Sequence, residues 1–318
     1  MTATVVSTGG RKRVTVLAGG WSAEREVSLV SGAGVVEALR ARGYTVETFD
    51  PPRDLERIAE GLKPLPDVVF NALHGTGGED GTIQAMLDVL GVPYTHSGLR
   101  ASALAMDKPL TKRLVGTFGV PSPKGVGVTP EMLTRGHPMA PPYIVKPVAE
   151  GSSVGVLIVR DGANAVPRSA WPPDEKLLVE TYVPGHELTV GVMSRLGEKA
   201  RALGVTEIAY STELFDYTAK YSAGHATHIL PAQIPESVYS ESMEYARIAH
   251  EAIGCSGVTR SDFRWDDTRP GTEGLYFLEI NTQPGMTPIS LVPEQARLLG
   301  MSYGDLVEWI VEAATCHR

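Results

Sequence analysis

VTVLAGGWSAEREVSLVSGAGVVEALRARGYTVETFDPPRDLERIAEGLKPLPDVVFNAL, residues 14–73, alternates short β-rich runs with helical periodicity. Extended runs fall at 14–18, 44–49 and 67–73; helical patterns fall near 27–41 and 54–62, with a further one near 81–90. Such alternation predicts a parallel sheet with helices on its faces, and ligands meet a sheet of that kind at the carboxyl ends of its strands. The loops after the first and third strands, AGGWSAEREVS and NALHGTGGEDG, are therefore the first places to seek a site. The former brings Glu24, Glu26 and Ser28 to a helix start, and the latter sets His74 between a strand and glycines. Glu24 suits an ammonium group, and His74 suits orienting a substrate or a neighbouring carboxylate. A histidine beside glycines is also common as a purely structural residue, and a Gly-Gly turn as plain chain reversal.

Beyond this α/β section the pattern changes. From Asp107 onward short strands are expected at PYIVKPV, GVLIVR and LLVETYV, and from about residue 190 long strands mix with helices near 237–252 and 303–315. We read three units, 1–106, 107–188 and 189–318, the first α/β and the others α+β. Residues 206–233, TEIAYSTELFDYTAKYSAGHATHILPAQ, show no sustained period. Loops longer than roughly 12 to 15 residues are uncommon in compact domains unless they cover a site, bind a ligand or are disordered. A lid is the expectation; the alternative, a tolerated surface insertion, fits its aromatic residues less well.

Composition narrows the function classes. The 318 residues include 29 Lys and Arg against 37 Asp and Glu, a formal charge of -8 that argues against a broad basic face for nucleic acid. Two cysteines, Cys255 and Cys316, are too few for a disulfide framework, which fits a reducing cytoplasm. The apolar run at 14–18 is shorter than a signal-peptide core, and no stretch approaches the ~20 residues of a membrane span.

Chemistry concentrates toward the C-terminus. GVTRSDFRW (257–265) and GLYFLEINTQPG (274–285) read as two strands joined by a turn-rich segment. Side chains two apart share a strand face, so Arg260 projects with Asp262, and Glu279 with Asn281, while Leu278 and Ile280 supply the core. Two carboxylates, an amide and a guanidinium on one surface suit Mg²⁺ beside phosphate. Alone, the same pattern also describes the polar face of an exposed strand; the Pro-Gly turn that follows, able to aim backbone N–H groups at a substrate, favours the site. A second cluster, YIVKPVAEGSSVGV (143–156), delivers Lys146 from an apolar strand into a Gly/Ser loop. Backbone donors there can cradle phosphate, although EGSSVG also fits a plain hairpin turn, and neither the P-loop nor the dinucleotide fingerprint is present.

Taken together, GGWSAEREVSLVSG, LHGTGGEDGTIQ, ASALAMDK, IVKPVAEGSSVGV, AKY and LEINTQPGMTPISLVP resemble the D-alanine:D-alanine ligases of the ATP-grasp superfamily, in family order and over nearly the whole chain. The resemblance implies an ATP-grasp fold behind an N-terminal Rossmann-like domain, with ATP between two β-rich lobes. It implies that Lys108 and Lys146 approach the phosphates and that Glu180, Val183 and Glu187 meet adenine and ribose. Asp262, Glu279 and Asn281 would bind two Mg²⁺ ions, with Mn²⁺ a candidate replacement. Glu24 would hold the ammonium of the first D-alanine, in a hydrogen-bonded set with Ser152 and Tyr221, and Lys220 would reach the transferred phosphate. Arg260 and the Gly285 N–H would stabilise the oxyanion, and Ser290 and Leu291 would meet the second D-alanine. A cytoplasmic homodimer formed through the N-terminal domain, serving cell-wall synthesis without nucleic acid or membrane partners, also follows from the resemblance. Departures from the family pattern are Thr181 in place of Lys, His96 in place of a small residue, and Pro109 after Lys108. Two other readings keep the fold: an ester-forming D-alanine:D-lactate ligase, disfavoured by Tyr221, and a silent ATP-binding regulator, disfavoured by the intact Arg260, Asp262, Glu279 and Asn281.

Overall fold

The structure, a computed structural model, describes residues 11–148, 155–163, 166, 170–210 and 226–317. Strands β1 (Arg13–Leu17), β2 (Thr45–Phe49) and β3 (Val68–Asn71) form a parallel sheet of order β2-β1-β3, as the opening alternation predicts. Helices α1 (Arg25–Ala41), α2 (Leu55–Gly61) and α3 (Thr82–Leu90) follow the three strands in turn. Every residue of β3 is buried, which is why that strand reads as a continuous apolar run rather than an alternation. On α1 the buried residues Ser28, Gly32, Val35, Val36 and Leu39 recur at helical spacing and form the stripe that covers the sheet. Gly32 permits the close approach, since a Cβ there would lie 2.5 Å from that of Ala18.

Two antiparallel sheets follow. Strands β4 (Gly125–Val128), β5 (Tyr143–Pro147), β6 (Leu157–Val159) and β7 (Leu177–Thr181) are ordered β4-β7-β5-β6. The larger sheet, β10-β9-β8-β11-β12, contains β8 (His186–Ser194), β9 (Arg201–Tyr210), β10 (Ala226–Ile229), β11 (Gly257–Trp265) and β12 (Leu275–Asn281). The segment 206–233 thus differs from the patternless loop that its sequence suggests. Residues 206–210 complete β9, and β10 pairs with them from Tyr210↔Ala226 to Glu207↔Ile229. Cross-strand pairing supplies the extended conformation that local periodicity does not announce.

Helices absent from the sequence reading complete the frame. They are α4 (Leu99–Met106), α5 (Lys108–Gly116), the single turn α6 (Pro130–Leu133) and α8 (Leu291–Leu298). The two expected C-terminal helices are α7 (Glu236–Ile253) and α9 (Tyr303–Glu312). Helix α5 begins at Asp107, whose carboxylate accepts from the Leu110 N–H at 3.0 Å, with Pro109 in its first turn. Pro109 is therefore a helix-start residue, its missing N–H being one that no helical carbonyl would have used. Helix α9 returns to the N-terminal sheet, where Leu306, Ile310 and Val311 join Val35 and Leu39 in one core, so the chain's end is packed on its beginning. His96 adopts φ 70°, a backbone conformation that favours glycine.

Helix α7 covers the large sheet, burying Val238, Ala246, Ala249 and Ile253 against Leu188, Val190, Phe263 and Phe277. His250 sits within this interface, bonded to Ser194 Oγ and Thr259 Oγ1, each at 2.8 Å. Burial lowers its pKa from 6.5 to about 4. The unfolded chain therefore takes up a proton between those values that the folded chain refuses, so stability rises with pH across the window and is complete above it. At roughly 1.36 kcal/mol per pKa unit, His250 accounts for about 3 kcal/mol of acid sensitivity. Unfolding free energies measured from pH 7 to pH 4 should fall less steeply for His250→Gln than for the parent chain; equal slopes would remove His250 from this role.

Candidate active site

A cavity of about 410 Å³ lies between the two antiparallel sheets. The four-stranded sheet supplies Ile144, Lys146, Ile158 and Glu180, and the five-stranded sheet supplies Glu187, Tyr210, Asp262 and Glu279. The connection from β7 to β8 closes one end with Tyr182, Val183 and Gly185. Arg264 fixes this connection, donating to the Val183 carbonyl at 3.1 Å and the Gly185 carbonyl at 2.9 Å. Ile144, Ile158, Val183 and Leu278 give the cavity an apolar share of its lining, and Ile144 lies directly opposite the charged Glu180 in the strand register. Of the residues singled out from sequence, Lys108, Lys146, Glu180, Val183, Glu187, Asp262 and Glu279 all line this one cavity.

The pairing of β11 with β12 arranges the polar cluster. Its register sets Arg260 opposite Asn281 and Asp262 opposite Glu279, so the four side chains share a sheet face. Between Asp262 and Phe263 the register shifts, and Phe263 pairs with Phe277 instead of Leu278. Leu278 is the extra residue of this bulge and lines the cavity, whereas Ile280, Phe277 and Phe263 enter the core. Strict alternation would have sent Leu278 inward with Ile280, and that expectation is corrected: a bulge re-aims the side chains on one side of it.

The charged groups are paired before any ligand is considered. Arg260 Nε and Nη2 donate to Asp262 Oδ1 and Oδ2 at 2.9 and 2.8 Å, and Thr189 Oγ1 donates to Oδ1 at 2.6 Å. An ionised carboxylate has about four lone-pair sites, so these bonds do not exhaust Asp262. Lys108 Nζ lies 3.4 Å from Glu279 Oε2, and Asn281 Oδ1 accepts from the Gln283 N–H at 2.6 Å. Asp262, Glu279 and Asn281 offer oxygen donors only, a set that fits a hard cation such as Mg²⁺. Glu180 bridges two lysines: Lys146 Nζ is 2.8 Å from Oε2, and Lys112 pairs with Oε1. Burial alone would raise the Glu180 pKa, but Lys146 and then Lys112 outweigh it and hold the carboxyl below its ordinary range. Burial likewise opposes the charge on Lys146, which Glu180 and Glu279 restore, raising its pKa. Lys112 is pulled down to about 7, first by burial and then by the neighbouring Lys146 ammonium.

A second cluster forms at the carboxyl ends of β1 and β3. Glu24, at the N-terminus of α1, His74 and Glu79 are all buried, and their ligand atoms lie within 4.8 Å of one another. His74 Nδ1 is 3.0 Å from Glu79 Oε1, and its Nε2 is 3.3 Å from Ser31 Oγ. Two carboxylates around an imidazole fit an ammonium group; they also match the donor set of a divalent ion, although an imidazole ligand suits zinc or manganese better than magnesium. The turn after β12 reaches this cluster, with Gln283 Nε2 bonded to the Leu73 carbonyl. Ser290, at the start of α8, accepts from the Thr287 N–H at 3.0 Å, and a Cβ on Gly285 would lie 3.2 Å from its hydroxyl. Leu291 opens the helix behind it. Ser152, Lys220 and Tyr221 lie outside the described residues.

Sequence reasoning missed Lys112, Thr189, Tyr210, Arg264 and Glu79. Lys112 had a usable signal, because four residues separate it from Lys108 and such a pair shares one helix face. The signal required recognising α5 from its Asp107-Lys108-Pro109 start.

Residues 132–312 match the family model described as D-ala D-ala ligase C-terminus, and residues 52–97 match D-ala D-ala ligase N-terminus. The D-alanine–D-alanine ligase of Parvibaculum lavamentivorans is 54% identical over 311 residues, covering 96% of this chain and 99% of that protein. That of Rhizorhabdus wittichii is 52% identical, covering 95% of this chain and 96% of its own. Among solved structures, the Bacillus anthracis D-alanine–D-alanine ligase complexed with ATP superposes with a TM-score of 0.76 at 26% identity, covering 95% of this chain and 97% of that one. A D-Ala:D-Ser ligase from Enterococcus faecalis gives 0.77 at 27% identity, covering 95% and 99%.

The bulge makes a direct prediction. Phe277→Ala removes a fully buried ring and should lower unfolding free energy by about 3–5 kcal/mol, whereas Leu278→Ala should cost no more than about 1 kcal/mol. Urea denaturation of the two variants checks this, and equal losses would return Leu278 to the core.

Proposed function

The chain belongs to the D-alanine–D-alanine ligase family, whose fold is the ATP grasp, and on that premise we propose that it joins two D-alanine molecules to D-alanyl-D-alanine with conversion of ATP to ADP and phosphate. The observation that carries the reading is the β11–β12 register, which turns Arg260, Asp262, Glu279 and Asn281 to one face beside the cavity lined by Lys108, Lys146 and Glu180. A silent nucleotide-binding module has no use for an arginine and three oxygen donors assembled in this way.

Adenine occupies the apolar part of the cavity, with Glu180 and the Val183 backbone at its edge and Glu187 at the ribose. Lys108 and Lys146 face the phosphates. Magnesium held by Asp262, Glu279 and Asn281 supplies neutralisation of phosphate charge. The other side chains do the positioning. Glu24 holds the ammonium of the first D-alanine, and His74, braced by Glu79, keeps that carboxylate site in place. A carboxylate oxygen of this D-alanine attacks the γ-phosphorus, the bond to the ADP oxygen breaks, and an acyl phosphate results. The neutral amine of the second D-alanine, placed by Ser290 and Leu291, then attacks the acyl carbon, and the proton it sheds leaves with the departing phosphate. Arg260 and the Gly285 N–H bear the oxyanion until the C–O bond to phosphate breaks. Ser152, Lys220 and Tyr221 act with Glu24 and the transferred phosphate, and the connection from β9 to β10 shelters the acyl phosphate from water. The product feeds peptidoglycan precursors in the cytoplasm. No described helix is long and apolar enough to cross a membrane, and a homodimer through the N-terminal unit completes the proposal.

Incubation with ATP, Mg²⁺ and D-alanine should release phosphate and yield the dipeptide by mass, with no release on L-alanine and no ester when D-lactate is added. Absence of D-alanine-dependent phosphate would overturn the reading; ester formation would move it to the depsipeptide class. Within the same assay Arg260→Ala should lower turnover by about 10²–10³-fold, the range for loss of one oxyanion donor.

A further inference from the structure

Helix α5 presents Lys108 and Lys112 four residues apart, both buried, yet sends them to different sheets. Lys108 reaches Glu279 on β12 of the large sheet, and Lys112 reaches Glu180 on β7 of the small one. Lys108 and Glu180 line the cavity, whereas Lys112 stands behind Glu180, outside the lining. The Glu180 carboxylate therefore takes one lysine on each oxygen: Lys146 on Oε2, from the cavity side, and Lys112 on Oε1, from the protein side.

This division of labour has a physical consequence. Glu180 is a buried carboxylate, and with Lys146 as its sole cation both its oxygens would compete for that one ammonium. Lys146 would then be drawn fully into the pair, and its charge would be spent on Glu180 instead of facing an anionic ligand. A second lysine on Oε1 removes that competition and locks the rotation of the carboxylate.

We propose that Lys112 is a positioning residue for the nucleotide: by holding Glu180 from behind, it keeps Lys146 in place and available to the phosphates. The inference rests on the reading of this cavity as the ATP site. Lys112 is not among the residues that line the cavity, and it meets the wall at Glu180, so its effect on ATP passes through Glu180 and Lys146. A purely structural lysine, present only to neutralise a buried charge, would affect stability and the fraction of folded enzyme but would weaken ATP and D-alanine binding alike or not at all.

The test is a set of full-chain variants assayed with Mg²⁺, ATP and D-alanine, with melting temperature recorded for each. Lys112→Met should raise the KM for ATP about tenfold or more, as loss of a supporting partner does for a ligand site, and leave the KM values for D-alanine within about twofold. Lys112→Arg, which keeps the charge, should restore most of the ATP affinity. The double variant Lys112→Met/Glu180→Gln should bind ATP no worse than Glu180→Gln alone, because the carboxylate that Lys112 restrains is then gone. An unchanged KM for ATP in folded Lys112→Met, or equal losses for ATP and D-alanine, would overturn the proposal. If Lys112→Met does not fold, the comparison in the Glu180→Gln background decides, and a further loss there overturns it as well. Lys146→Met separates the two readings: no weakening of ATP by that change would sink the assignment of the cavity itself, whereas weakening by Lys146→Met without weakening by Lys112→Met would remove only the role of Lys112.

Discussion

The antiparallel contact between β11 and β12 is the constraint on which the site depends. One ladder must hold Arg260, Asp262, Glu279 and Asn281 on one face, with Asp262 and Glu279 lining the cavity, while sending Phe263 and Phe277 into the core beneath α7. A perfectly alternating pair would hold one register along its whole length and would put Leu278 on the core side. The bulge after Asp262 inserts one residue and lets the two requirements coexist: polar ligand-facing pairs at one end, and edge-to-face phenyl rings 5.7 Å apart at the other. Glycines elsewhere adjust turns, but this irregularity in a ladder of ordinary residues is what places the chemistry.

Electrostatics follow from that placement. Lys108, Lys112, Lys146 and Arg260 lie among Glu180, Glu279 and Asp262, each charge paired within a site largely removed from water. Isolated charges there would be strongly disfavoured, and pairing is what permits them. A bare polyanion entering such a site would have to compete with the carboxylates for their lysines.

Much of this was legible in the sequence where short-range pattern and long-range structure agree. β1 and β3 show because each is buried on both faces, β2 because its β-branched and aromatic residues mark an extended run although only Val46 is buried, and α1, α7 and α9 show because their apolar stripes keep the helical period. Alternation along 257–265 and 274–285 was enough to place the four polar side chains on one face. Leu278 was misread because a bulge is decided by cross-strand packing, which a single strand does not display. The ends of the 206–233 segment were misread for the same reason: β9 and β10 stabilise each other by pairing. Lys112 escaped notice because its helix begins with a proline that resembles an interruption, and because its partner, Glu180, is remote in sequence. Pairings between distant elements are what single-sequence periodicity cannot carry.

The two clusters are not independent. Gln283 follows the polar end of β12 by two residues and donates to the carbonyl of Leu73, the residue before His74. Its own backbone N–H is held by Asn281. One turn therefore ties the polar face of β12 to the loop after β3 that carries His74, using a side chain buried to 1% exposure. Tyr303 adds a second tie, bonding the Met286 carbonyl at 2.6 Å from α9, which packs on the N-terminal sheet. Acyl transfer between two small molecules needs the activated carbon and the incoming amine held within a few tenths of an ångström, and the substrates, each only a few atoms across, offer little surface for correcting a misplaced wall. The protein must supply that precision from its own frame, and a buried turn bonded at both ends does so where a free loop would not.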